Sequence, residues 1–188
     1  MINVIKSLIF ALFGMSSLGW LSILLIITLY VGPSPDDFLL SFIESNLINS
    51  EDVEQLGYTF SELAYEFYEY IALLNIFLLI VTIIFCICWS FASHFLNIDA
   101  PGKAKIYFIH WFVFSGIFVA SLFGITSFFV IWGRSFEVAD YLSGVGQTIL
   151  LVVPIIFYFI VYYLGVLLGT ARFARSSVLF ANKLPGNL

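Results

Sequence analysis

The chain has 188 residues, of which 62% are hydrophobic and 10% are charged, and its mean hydropathy is +1.08. A soluble domain carries about 25% charged and about 45–50% apolar residues, so this composition excludes a water-soluble globular protein and indicates one that uses lipid as its solvent. The net charge is −5, and nine of the twelve acidic residues lie in residues 31–70, which contain no Lys or Arg.

The first apolar segment, residues 7–31, predicts a membrane-spanning helix. Roughly 25 helical residues extend about 37 Å, which exceeds the hydrocarbon core of about 30 Å. A cleaved signal peptide is the alternative, because Lys6 precedes the apolar run. The run is longer than the apolar region of a signal peptide and ends without a small-residue cleavage site, so we expect an uncleaved span. Its small residues form a candidate site of close helix contact: Gly14, Ser16, Ser17 and Gly19.

Residues 32–70 predict an acidic helical hairpin outside the membrane. Ser34 as N-cap, Pro35 at the first helical position and two following Asp residues are typical of a helix start. This helix should end near Asn46. Its apolar side, suited to the membrane surface, to a neighbouring subunit or to the rest of the hairpin, consists of Phe38, Leu39, Phe42 and Ile43.

A second, long helix is predicted from Phe60 to Phe95 without a break. It opens on a capping box, Thr59 to Glu62, and residues 71–93 form the second span. Aromatic residues crowd residues 65–70, as expected where a helix crosses the membrane interface. The last helix of the hairpin is therefore also the second span. Its outer turns carry an acidic face made of Glu62, Glu66 and Glu69.

Residues 106–132 and 148–169 predict the third and fourth spans, joined by short loops at 97–105 and 133–147. Small residues spaced by four let two membrane helices approach closely. We expect such packing at two places, on the third span and at the end of the fourth. The residues concerned are Gly116, Ala120, Gly124, Gly165 and Gly169. Residues 170–188 form the tail.

The basic residues predict the orientation. Six of the seven lie on the side of the two termini, and only Arg134 lies on the other. Because Lys and Arg are retained on the cytoplasmic side, we expect both termini in the cytoplasm, the acidic hairpin outside, and a multi-pass protein of the inner (plasma) membrane. The candidate contacts for a cytoplasmic protein partner, or for anionic lipid, are Lys103, Lys105, Arg172, Arg175 and Lys183.

The sequence contains little that indicates chemistry. The predicted spans hold no Asp, Glu, Lys or Arg, which disfavours a secondary transporter. No hydrolase-like arrangement, phosphate-binding loop or zinc-ligand spacing occurs. We therefore expect no enzymatic activity, no cofactor or metal, and no direct contact with nucleic acid.

Three functions remain open on these observations. The first is a non-enzymatic, homo-oligomeric membrane subunit that senses an envelope event and anchors or signals to a cytoplasmic partner. The second is a cation channel or pore, in which the acidic hairpin forms an outer vestibule. The third is a structural subunit of an envelope secretion or conjugation machine.

In size, four-span layout and outer acidic hairpin, the chain resembles the small membrane subunit of the Kiwa anti-phage defence system. The resemblance covers the topology of residues 7–183. It implies a homotetrameric membrane sensor of phage attack, coupled to a cytoplasmic DNA-binding effector. The expected architecture is accordingly an all-α, polytopic membrane protein with four transmembrane helices and an outer acidic helical hairpin between the first two.

Overall fold

The computed structural model of the chain describes residues 2–31, 38–47, 60–95, 103–132 and 142–171. Nearly all of them are helical, which confirms the predicted all-α class over these ranges. The helices are α1 (Ile2–Val31), α2 (Phe38–Asn46), α3 (Phe60–Phe95), α4 (Lys103–Ser127), a π-helix that continues α4 (Phe128–Trp132), and α5 (Gly144–Ala171).

Four of these helices are long and apolar enough to cross a membrane, as predicted. The candidate spans are Val4–Val31, Glu66–Ala92, Ile109–Ile131 and Gly144–Gly169. A helix satisfies all its interior backbone hydrogen bonds within itself, which is the condition for a segment that lies in lipid. Many large apolar side chains on all four helices are exposed, as a surface covered by acyl chains requires.

The helix boundaries differ from the predicted ones at two loops. Helix α3 begins and ends at the predicted residues, but α4 begins at Lys103, inside the expected loop 97–105. Helix α5 begins at Gly144, so residues 144–147 form its first turn rather than the end of a loop. The two glycines in that turn are poor helix formers, which is why the sequence pattern placed the start of α5 too late. Pro154 lies inside α5, which continues past it.

The π-helix at Phe128–Trp132 was not predicted. Such wide turns are rare and commonly occur as single turns within α-helices, frequently at functional sites. Here the turn ends the third candidate span. Phe129 in this turn is buried, whereas Phe128 and Ile131 are exposed.

The chain divides into two compact units. The first comprises Met1–Trp20, Leu79–Ser121 and Phe157–Leu188, and the second comprises Leu21–Leu78 and Leu122–Ile156. In the first unit the core is aromatic, with the ring centroids of Phe118 and Tyr162 4.5 Å apart. In the second unit the largest fully buried side chains are Phe67, Tyr68, Tyr70, Ile43, Leu74, Leu78 and Leu122.

Candidate functional site

The C-terminal end of α2 meets the N-terminal end of α5 within the second unit. The amide of Ser143 donates a 2.8 Å hydrogen bond to the carbonyl oxygen of Leu47. The hydroxyl of Ser143 donates a 3.2 Å bond to the carbonyl oxygen of Asn46. The last carbonyls of a helix have no amide partner within the helix. At the end of α2, Ser143 supplies a hydrogen-bond donor to two carbonyls, its hydroxyl to Asn46 and its amide to Leu47. We call residues 46–47 and 142–146 the α2–α5 junction.

Ser143 also caps α5. The amide of Gly146 donates a 2.9 Å bond to the Ser143 hydroxyl oxygen, and the amide of Gln147 donates a 2.9 Å bond to the Ser143 carbonyl oxygen. A hydroxyl has one donor and two acceptor positions, so it can serve both helices at once. Ser143 therefore makes hydrogen bonds to the C-terminal end of α2 and to the N-terminal end of α5, and so links the two helix ends.

The α2–α5 junction is tightly packed around Leu47, Leu142 and Gly146. Leu47 and Leu142 are 3% and 5% exposed. A β-carbon at Gly146 would lie 2.8 Å from the Cα of Leu47, closer than real β-carbons approach other atoms. Only glycine therefore permits the observed contact. A β-carbon at Gly144, in the same turn, would meet nothing within 4 Å.

The predicted acidic face is described in part. Glu66 and Glu69 are exposed on α3. Glu62 lies in the first turn of that helix, but its side chain is outside the described residues. Three aromatic residues of the same segment, Phe67, Tyr68 and Tyr70, are buried within the protein.

The three predicted sets of small residues lie in different surroundings. Gly165 and Gly169 of α5 contact α1 within the first unit. A β-carbon at Gly165 would lie 2.5 Å from the Met15 side chain, and one at Gly169 would lie 2.7 Å from Ala11. The Ser7 hydroxyl donates a 2.5 Å bond to the Gly169 carbonyl oxygen. We call this contact the α1–α5 seam.

The candidate patch of small residues on α1 takes part in this seam. A β-carbon at Gly14 would lie 2.6 Å from the Leu164 carbonyl oxygen, and one at Gly19 would lie 3.9 Å from Val161. Ser16 and Ser17 are exposed and donate hydrogen bonds to carbonyls of their own helix, as hydroxyls in apolar surroundings commonly do. The patch therefore contributes its glycines to the seam.

The third set, Gly116, Ala120 and Gly124, is exposed on α4. Among the described residues, no other heavy atom comes within 4 Å of a β-carbon at Gly116 or Gly124. An open groove beside Gly124 is lined by Ser127, Phe128 and Ile131. We call the line of Gly116, Ala120 and Gly124 the α4 ridge. It is a candidate for contact with another helix, because small residues allow close approach.

The side chains of the predicted basic contacts all lie outside the described residues. Lys103 and Lys105 lie in the first turn of α4, where the structure describes the backbone but not these two side chains. Arg172, Arg175 and Lys183 are outside the described residues altogether. Within the described part of the chain, no group of three or more His, Cys, Asp or Glu side chains could hold a metal ion.

Sequence reasoning missed the residues of the α2–α5 junction. It also missed a contact between Tyr70 of α3 and Phe129 of the π-helix, whose ring centroids lie 5.6 Å apart. A serine directly before an apolar segment is an N-cap signal, but Gly144 and Gly146 separate Ser143 from the apolar run and conceal that signal. The role of Leu47 has no local signal, since it depends on a partner far away in sequence.

No protein-family model, no curated protein and no solved structure matches the chain.

Proposed function

We propose that the chain is a non-enzymatic membrane subunit that forms homo-oligomers, senses an event at the cell envelope and passes it to a cytoplasmic protein partner in anti-phage defence. The observation that carries this proposal is α3, a single helix of 36 residues. Its length is about 54 Å at 1.5 Å per residue, enough to extend beyond a hydrocarbon core of about 30 Å. A displacement at one end of an unbroken helix reaches the other end without a hinge.

Surface charge at the start of α3 supports a sensing role for the outer side. Glu66 and Glu69 are exposed at the beginning of the candidate span Glu66–Ala92. Exposed carboxylates attract cationic groups over a range of about 10 Å at moderate salt. In a homotetramer, the state that the resemblance to the Kiwa membrane subunit implies, each carboxylate would occur four times around one axis.

The α4 ridge supports self-association. Apolar helices gain nothing by leaving lipid for one another, so they associate through close backbone approach at small residues. Gly116 and Gly124 have space for such an approach, since nothing described in the protomer occupies it. We propose that α4 of a neighbouring copy packs here, in the plasma membrane with both termini in the cytoplasm.

The cytoplasmic partner would contact the basic residues of that side. These are Lys103, Lys105, Arg172, Arg175 and Lys183. The test is affinity purification of the tagged chain from its host membranes into nanodiscs, with mass measurement and identification of co-purifying proteins. We expect an oligomer with a cytoplasmic protein, which is lost after charge reversal by Lys103→Glu with Lys105→Glu. A monomer without any co-purifying protein would contradict the proposal.

A cation pore is the second candidate, and the exposed carboxylates of Glu66 and Glu69 favour it. Purified protein in a planar bilayer would then carry discrete cation currents. Neutralisation by Glu66→Gln with Glu69→Gln would reduce them. The absence of any current under both applied voltage and membrane tension would rule out a pore.

A further inference from the structure

We draw no further inference here: the strongest candidate, the open groove that Gly124, Ser127, Phe128 and Ile131 line where α4 continues into the π-helix, belongs to the α4 ridge already described, and nothing in the structure shows what covers it.

Discussion

The hydroxyl of Tyr70 donates a 2.7 Å hydrogen bond to the backbone carbonyl oxygen of Phe129, across 59 residues of sequence. Their ring centroids lie 5.6 Å apart, and Tyr70 is fully buried. Phe129 belongs to the π-helix that ends at Trp132, so its carbonyl is among the last of a helix that lack an amide partner. Tyr70 of α3 therefore supplies a hydrogen-bond donor to a backbone carbonyl at the end of another candidate span.

Tyr70→Phe should destabilise the protein and loosen the π-helix. The substitution keeps the ring contact with Phe129 and removes only the hydrogen bond, which leaves a buried carbonyl unsatisfied at a cost of about 1–3 kcal/mol. We expect a lower melting temperature and faster hydrogen exchange over Phe128–Trp132. Tyr30→Phe is the control, because Tyr30 is exposed. Equal melting temperatures for the two variants would contradict the role assigned to the bond.

Gly165→Ala should destabilise the α1–α5 seam. A β-carbon there would overlap the Met15 side chain and the Cys86 sulfur, and overpacking of this kind costs about 1–3 kcal/mol. Gly116→Ala adds the same methyl group where nothing described lies within 4 Å, so it should be neutral or stabilising. Thermal unfolding of both variants in the same detergent checks the difference, and a larger loss in Gly116→Ala would be inconsistent with it.

Ser7→Ala should weaken the same seam by a smaller amount. Its hydroxyl is buried and donates to the Gly169 carbonyl oxygen, and such bonds between membrane helices contribute about 0.6–2 kcal/mol. Ser16→Ala removes an exposed hydroxyl that bonds a carbonyl of its own helix, so it serves as the matched control. Comparing the unfolding free energies of the two variants in mixed micelles measures the contribution, and identical values would refute it.

The long elements could be predicted because their signals are local. Apolar length sets the four candidate spans, and the capping box at Thr59 marks the start of α3. The C-terminal end of α3, at Phe95, was also predicted. By contrast, the first turn of α5 begins with glycines and depends on Ser143, whose partners in α2 are distant in sequence. The π-helix likewise depends on Tyr70 from another helix.

The use of small residues could not be predicted from their spacing. Gly116, Ala120 and Gly124 repeat every four residues, as Gly165 and Gly169 do. Only the two glycines of α5 pack against another described helix. The difference is in the partner, because α1 offers Ala11 and the Ser7 hydroxyl to α5. Small residues permit close approach, but the identity of the approaching helix is a tertiary property.

Gly116→Leu should disrupt self-association without disturbing the protomer. Gly116 is exposed, and nothing described lies within 4 Å of a β-carbon at this position. A helix of a second copy packed on the α4 ridge would be displaced by the added side chain, because close backbone approach requires small residues. We expect the mass of the particle in nanodiscs to fall to that of the monomer, while the melting temperature of the protomer changes little.

Ser16→Leu is the matched control, because Ser16 is exposed on α1 and receives the same bulky apolar group. An oligomer that survives Gly116→Leu and Gly124→Leu together would place the contact between copies on another helix.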